Sequence, residues 1–254
     1  MIVVGFAVGL SKTIFRSFNH PKRNKEQNMS NNNQETYTFQ IYGESPLLHH
    51  CGFRAFKKYE FCKDAEAIKK KRGKNITDSD SERLIHFDCF QSFWCDYEDQ
   101  VGKRPEESQV DFENGLMPDI PLRVIRAAIE KGARSFKEGP KVRSGLRVKN
   151  VDFHWDKSLG ETLVELAMNP RVHFIVPVKV GTSKILRTRA IFRDWGATIT
   201  VQTDNQFVAE EDVERWLDYA GAYVGIGDWR PDKSGDFGRF SIKTERPVRS
   251  SLNA

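Results

Sequence analysis

The richest group of chemically useful residues forms a glycine-rich segment near the C terminus, GIGDWRPDKSGDFGRF at positions 225–240. Glycines let backbone amides approach a phosphate closely, basic side chains add positive charge, and an indole ring offers a stacking surface. The segment therefore predicts a phosphate-binding loop, without a full P-loop pattern. The alternative is a turn into an edge strand with packed aromatic rings. The candidate residues are Gly225, Gly227, Trp229, Arg230, Lys233, Gly235, Gly238 and Arg239.

A second basic pattern lies in KILRTRAIFR at positions 184–193. Side chains alternate along a strand, so Arg187, Arg189 and Arg193 are predicted to share one face opposite a mostly apolar face. A row of arginines can contact successive phosphates along a single-stranded nucleic acid. The alternative is a charged strand that resists edge-to-edge aggregation. A further basic alternation supports the binding interpretation and comprises Lys141, Arg143, Arg147 and Lys149.

Two adjacent histidines, His49 and His50, follow the first predicted strand. An imidazole beside bound RNA could act as general acid or base in cleavage by the RNA's own 2′-hydroxyl. No partner base is evident, and adjacent histidines in loops are commonly surface residues. A non-catalytic function is therefore favoured, with a metal-independent endoribonuclease as the alternative.

The cysteines offer only a weak metal site. His86 and Cys89 lie one helical turn apart, but the spacing from Cys89 to Cys95 is not that of a zinc ribbon, and no CxxC motif occurs. Together with Cys62 these residues are the weak metal candidates, and a core role is favoured. Walker, dinucleotide-binding and zincin motifs are also absent, so no cofactor is predicted.

The elements that must position these residues alternate without a regular βα repeat. The patterns predict strands at 36–42, 145–154, 172–180, 184–191, 197–203 and 241–244, and helices at 53–72 and 79–97, from Pro121 and from Glu210. On the Pro121 helix, one face is predicted to be buried and the other to be basic, with Arg123, Arg126, Lys131 and Arg134. The fold class is α+β, an antiparallel sheet backed by helices. The predicted buried face comprises Ile125, Ala128, Ile129, Gly132 and Phe136.

Composition excludes several classes of protein. Of the 254 residues, 39% are hydrophobic and 30% charged, and no apolar run approaches the roughly 18 residues of a membrane-spanning helix. A cytoplasmic protein with reduced cysteines is expected. Basic residues outnumber acidic ones nine to three at 53–74 and nine to two at 121–149, whereas 78–119 has three basic and twelve acidic residues. Such blocks can form charged faces or solvated helix surfaces.

Three regions are expected along the chain. Residues 1–35 are predicted to be a dispensable extension, with Met29 as an alternative start, because a polar Asn/Ser/Gln stretch separates them from the first strand. Residues 36–244 are predicted to form one domain. Residues 245–254 are predicted to be a tail.

Three landmarks follow one another along the chain: Ser45-Pro46-Leu47-Leu48, Pro118-Asp119-Ile120-Pro121 and the glycine-rich segment. With them the chain resembles the RAMP superfamily, the RRM-like RNA-binding backbone proteins of CRISPR effector complexes, which include crRNA-processing endonucleases. Phage and prophage proteins with the same ordered landmarks, including Arg-Thr-Arg…Phe-Arg-Asp-Trp, look more similar still. The resemblance covers about residues 36–244. It implies an RRM-like or ferredoxin-like fold with helical and loop insertions.

The resemblance also carries functional expectations. It implies RNA binding, assembly of copies along the strand and, for a phage protein, the host cytoplasm. Processing nucleases of the superfamily often place a histidine near the position of His49 and His50, but the aspartate of its target-cleaving subunits has no counterpart here. We therefore expect the protein to bind a single-stranded nucleic acid without catalysing a reaction. No motif separates RNA from DNA, so the strand is either of the two. An assembly subunit that uses the acidic segment 78–119 is a further alternative.

Overall fold

The computed structural model describes residues 34–51, 65, 67–71, 75–95, 116–180 and 183–243, without the side chains of 179, 180, 183, 184 and 243. The strands in these ranges are β1 Gln34–Gly43, β2 Leu47–Leu48, β3 Leu146–Trp155, β4 His173–Val180, β5 Ser183–Phe192, β6 Trp195–Asp204 and β7 Phe240–Lys243. The α-helices are α1 Asp78–Ser92, α2 Leu122–Ser135, α3 Gly139–Gly145, α4 Leu163–Met168 and α5 Glu210–Tyr219, and a π-helical turn, Ala220–Val224, extends α5.

The main sheet has the order β7-β1-β6-β3, and every neighbouring pair is antiparallel. Helix α2 lies in the connection from β1 to β3, and α5 lies in the connection from β6 to β7. Both helices contact the sheet and each other. This is the βαββαβ arrangement of ferredoxin-like folds. The predicted α+β class, with an antiparallel sheet backed by helices, is confirmed.

A smaller sheet, ordered β2-β5-β4, is inserted into this frame. Strands β4 and β5 form an antiparallel hairpin within the connection from β3 to β6, and β2 pairs only with Ile191 and Phe192 at the end of β5. Helix α1 packs against β5, and Ser92 Oγ accepts a hydrogen bond from the Ala190 amide at 2.7 Å. The insertion thus positions the arginine-bearing strand.

The core forms between the main sheet and its two helices. The predicted face of α2 is buried at Ile125, Ala128, Ile129 and Gly132, but Phe136 is 38% exposed because the helix ends at Ser135. A Cβ at Gly132 would lie 2.3 Å from the Trp216 carbonyl oxygen of α5. This glycine therefore sets the close approach of the two helices.

Several element boundaries differ from the sequence-based expectations. Residues 139–145 are helical, because Pro140 occupies the first turn of a helix rather than marking a break. Lys141 and Arg143 consequently lie on α3 and do not continue the alternation of β3. Helix α1 ends at Ser92, five residues before the predicted end. In the described ranges, every helix is too short or too polar to cross a membrane.

Predictions for the chain ends and two internal segments fall outside the described residues. These include the N-terminal extension up to residue 33, the tail at 245–254, most of the helix at 53–72 and residues 96–115 of the acidic segment. Strand β1 begins at Gln34, so Gln34 and Glu35, assigned to the extension from the sequence, belong to the main sheet.

Candidate functional site

The glycine-rich loop leaves the π-helical turn at Gly225 and ends at β7. Backbone hydrogen bonds hold it against the segment around β2: the Asp228 amide donates to the Leu48 carbonyl at 3.0 Å, and the Gly238 amide donates to the Pro46 carbonyl at 2.8 Å. A third bond, from the Ile226 amide to the Gly238 carbonyl at 2.9 Å, closes the loop on itself. The loop is therefore a well-braced element of the fold.

The loop glycines serve close packing. A Cβ at Gly235 would lie 1.8 Å from the Trp229 carbonyl oxygen, and one at Gly238, where φ is +68°, would lie 1.8 Å from the Ile226 carbonyl oxygen. The amides of Gly225, Gly235 and Gly238 donate to protein carbonyls at 2.8, 3.1 and 2.8 Å. These amides are not open to a phosphate, which corrects the expectation that they would cradle one.

Trp229 presents the main exposed aromatic surface of the loop. Its side chain is 38% exposed, and its φ of +49° lies in the left-handed region. Phe174 of β4 meets the indole edge to face at 5.7 Å, and Phe237 lies 6.3 Å away. The phenylalanines hold one part of the ring and leave the rest accessible, as stacking on a base requires.

Arg189 of β5 lies beneath this ring. Its Nε is 2.7 Å from Asp228 Oδ2, and its guanidinium carbon is 5.9 Å from the Trp229 ring centroid. The side chain is only 16% exposed, and its buried Nη1 has no hydrogen-bond partner among the residues that the structure describes. Asp228 therefore offsets the charge of Arg189, and within that part of the chain Nη1 is an unused donor.

The other strand arginines are also engaged, so the expected free row of arginines is corrected. Arg187 Nη1 lies 3.5 Å from Asp88 Oδ2 on α1, and Arg193 donates to the Arg171 carbonyl. The apolar face is buried at Ala190 and Phe192, as the alternation predicted. Leu186 of that face is 66% exposed, however, and Ile191, which lies on the arginine-bearing face, is buried.

A basic cleft lies on the other side of the loop. Arg123 and Lys131 of α2 face Arg230 across a cavity of about 310 Å³ that also borders Gly227. Lys131 and Arg230 both pair with Asp232, and the Lys131 hydrogen bond lowers the pKa of that carboxyl. Two of the three cations that line the cleft thus share one carboxylate.

Sequence reasoning placed Arg123 and Lys131 on the basic face of a helix without assigning them to a site. Their separation of eight residues put them on one side of α2, which was the available signal. Their proximity to Arg230 depends on the packing of the loop against α2. No local pattern contains that information.

The two candidate histidines have different surroundings. His49 is fully buried among aromatic rings, and burial lowers its pKa to about 3, so it lies away from any surface a substrate could reach. His50 lies beside Arg189: its Nδ1 is 3.5 Å from Arg189 Nε. Burial lowers the pKa of His50, Asp228 opposes that shift, and Arg189 adds to it. Only His50 thus adjoins the candidate site.

The weak metal candidates are dispersed. His86 lies against the ring of His173, with 5.4 Å between the ring centroids. Cys89 is buried, and desolvation raises the pKa of its thiol. Cys95 is also buried in the core. Among the described residues, no three His, Cys, Asp or Glu side chains are arranged to hold a metal ion. Cys62 lies outside these residues.

The remaining basic candidates are spread over other elements. Lys141 pairs with Glu138 at 2.8 Å, and Arg143 lies 3.9 Å from Glu130, which ties both to the helical side of the molecule. Arg147 is exposed on the edge strand β3. In the loop, Lys233 is exposed and Arg239 lies 3.9 Å from Glu44.

Comparisons with known proteins give little further information. No family model matches the chain, and no curated protein matches its sequence. Among solved structures, Cmr6 from Pyrococcus furiosus, a RAMP-type CRISPR protein, matches with a TM-score of 0.30 and 10% identity over 83% of this chain and 99% of that one. This weak likeness shows no family, so membership of the RAMP superfamily stays a prediction.

Proposed function

We propose that the protein binds single-stranded nucleic acid along the glycine-rich loop. The observation that carries this proposal is the position of residues 227–230. Gly227 and Arg230 line the basic cleft of α2, and Asp228 and Trp229 between them contact Arg189. A stacking ring flanked by cations is the combination that sequence-tolerant single-strand binding uses.

Charge and chemistry assign different roles to the two sides. Trp229 stacks on one base, while the cleft cations and Arg187 contact phosphates. Lys131, Arg187 and Arg230 each exchange part of the bond to Asp232 or Asp88 for a phosphate oxygen, so the carboxylates keep the surface ordered when it is empty. Both RNA and DNA fit this arrangement.

Salt dependence tests the electrostatic part of the proposal. Each phosphate neutralised on a single strand contributes roughly 0.7 to the slope of log affinity against log salt. Combining Arg123→Gln, Lys131→Gln and Arg187→Gln should therefore lower the slope measured by fluorescence anisotropy on a 12-nucleotide strand by about 2. Wild-type affinity and slope in this variant would contradict the proposed surface.

A matched triple variant provides the control. Lys141→Gln, Arg143→Gln and Arg215→Gln removes the same charge from the helical side, where these residues pair with Glu130 and Glu138. It should retain the wild-type slope. An equal fall in both triple variants would point to a general effect of net charge.

Metal-independent RNA cleavage is a second candidate, favoured by the position of His50 beside Arg189. An imidazole kept neutral by its surroundings can accept the proton of a 2′-hydroxyl. Cleavage would appear as shortened RNA in the presence of a chelator. It should disappear in His50→Ala and with a 2′-deoxy strand. An intact RNA strand after prolonged incubation with the wild-type protein would exclude it.

A further inference from the structure

The face of the main sheet opposite α2 and α5 carries a second feature, distant in sequence from the loop. Tyr42 of β1, Gly196 of β6 and His154 of β3 lie directly opposite one another in one row across three strands. Tyr42 is 39% exposed, the His154 side chain is 54% exposed, and Gly196 has no side chain between them. A cavity of about 360 Å³ lies over this row.

The spacing of the row suits a flat ring. Neighbouring strands lie about 4.8 Å apart, so the backbones of Tyr42 and His154 are separated by roughly 9–10 Å. Two ring-to-ring contacts of roughly 3.5–4.0 Å need about 7–8 Å between the flanking rings. This backbone spacing leaves room for one planar ring between the phenol and the imidazole, with Gly196 as the floor. Asp152 holds the imidazole, with Oδ2 3.2 Å from His154 Nε2.

The rim of the cavity favours a ring that donates hydrogen bonds. Asp156 and Asp194 line it, and hydrogen bonds from Ser158 lower the pKa of Asp156, which keeps that carboxylate ionised. A carboxylate accepts N–H groups and repels carbonyl oxygens. Guanine presents adjacent N1–H and N2–H donors to one carboxylate, whereas uracil presents one N–H between two carbonyls. The rim thus discriminates between these bases.

Two arginines lie just beyond the carboxylates. Arg171 and Arg193 share a neighbouring cavity with Asp156 and Asp194, and Arg171 Nη2 is 3.9 Å from Asp156 Oδ2. They supply positive charge beside the slot while the carboxylates keep phosphates out of it. A base can enter between Tyr42 and His154 with its phosphate held outside.

We propose that the slot formed by Tyr42, Gly196 and His154 binds one unstacked guanine base, with its phosphate at Arg171 or Arg193. The role of this base within a longer strand rests on the proposed function of the loop. The slot itself rests on the sheet geometry and on the charged groups at its rim. Stacking of an unpaired base on aromatic or imidazole rings, with its Watson–Crick edge read by polar groups, is an established mode of single-strand recognition.

The direct test uses nucleosides, which carry no phosphate. Guanosine titrated into the full-length ¹⁵N-labelled protein should shift the backbone amide signals of Gly196 and Thr198 in a saturable manner, and uridine should shift them far less. Tyr42→Ala should weaken guanosine binding roughly 5- to 150-fold, the range for loss of one stacking partner. Tyr42→Phe keeps the ring and should retain binding.

Tyr223→Ala is the matched control, because Tyr223 is exposed on the π-helical turn. It should leave the guanosine shifts unchanged. Equal shifts with uridine, or unchanged binding in a folded Tyr42→Ala protein, would overturn the proposal. Absence of any guanosine-dependent shift at Gly196 would overturn it as well.

A strand assay separates this proposal from that of the loop. A 12-nucleotide uridine strand with one central guanosine should bind more tightly than the all-uridine strand, and Tyr42→Ala should abolish only that difference. If both strands bind equally while Trp229→Ala weakens both, the slot proposal fails and the loop proposal stands. If neither strand binds but guanosine shifts Gly196, the loop proposal fails and the slot stands.

Discussion

His49 is a titratable side chain that the fold keeps uncharged. Its ring lies 4.7 Å from that of Trp94 and 4.9 Å from that of Phe192, and its Nδ1 accepts the Trp94 backbone amide at 3.3 Å. Burial in this aromatic environment lowers its pKa to about 3. A histidine next to a surface loop in sequence thus serves as a core residue, and its proton affinity is linked to folding.

This linkage predicts a specific acid sensitivity. Between pH 6.5 and about 3, the unfolded chain protonates His49 and the folded chain does not, so the free energy of unfolding falls as pH decreases. The contribution approaches about 1.4 kcal/mol per pH unit. In urea unfolding followed from pH 7 to 4.5, His49→Phe should show a shallower pH dependence than the wild type.

The control is Phe240→Leu, which alters the buried core without removing a titratable group. It should retain the wild-type pH dependence. Equal slopes in the wild type and His49→Phe would contradict a neutral, buried His49.

The position of the Trp229 backbone depends on its close contact with Gly235. A Cβ at Gly235 would lie 1.8 Å from the Trp229 carbonyl oxygen, so Gly235→Ala must displace the backbone that carries the indole. We expect this variant to weaken strand binding nearly as much as Trp229→Ala, which should cost roughly 1–3 kcal/mol. Fluorescence anisotropy measures both effects.

Two further measurements show whether a displaced indole causes the loss of affinity. The slope of log affinity against log salt should be unchanged in Gly235→Ala, because no charge is removed. Ser234→Gly, in the same loop at a φ of +60°, should bind normally. Wild-type affinity in Gly235→Ala would show that the indole position does not govern binding.

At the scale of elements, helix α1 packs against β5, the arginine-bearing strand of the small sheet. It begins with a capping box in which the Thr77 side chain accepts from the Asp80 amide and the Asp80 side chain accepts from the Thr77 amide. Lys71 also bonds to Asp80 at 2.8 Å. Further along α1, Asp88 pairs with Arg187. The cap therefore stabilises the helix that holds this arginine.

Loss of the cap should destabilise the protein without altering the site. Thr77→Val removes the side-chain acceptor at nearly constant volume and should lower the free energy of unfolding by roughly 0.5–2 kcal/mol in urea titrations. Strand affinity at 10 °C should stay unchanged. A loss of affinity in a fully folded Thr77→Val protein would contradict this expectation and show that the cap itself positions Arg187.

Local patterns predicted most elements because burial follows their periodicity. The alternation in β1 and β6 and the i, i+3, i+4 spacing in α2 are properties of neighbouring residues. The pairing of Arg187 with Asp88 and of Arg189 with Asp228 joins residues 99 and 39 positions apart. The sequence therefore identified the arginines and the loop as candidates. It did not contain their neutralising partners or the cleft that Lys131 completes.

On the scale of the whole molecule, the two sheets share one aromatic cluster. Phe192 of the small sheet meets Phe153 of the main sheet edge to face at 5.1 Å, and His49 lies against both rings. All three side chains are buried. The inserted hairpin is thus anchored in the core of the frame.

A shared core predicts cooperative unfolding of both sheets. Phe192→Ala should cost about 3–5 kcal/mol, because it leaves a cavity at their contact. Urea transitions followed by tryptophan fluorescence and by far-ultraviolet circular dichroism should coincide in the wild type and in the variant. Two separated transitions would show that the small sheet unfolds independently.

The place where the hairpin joins the frame has an evolutionary consequence. Trp155, the last residue of β3, and Trp195, the first residue of β6, are directly paired, so the 39-residue stretch between them leaves and returns at adjacent points. Descendants of this chain can lengthen, shorten or exchange that stretch while the ferredoxin-like frame keeps its register. We expect insertions and deletions among homologues to concentrate there, so that ligand preference diverges faster than architecture.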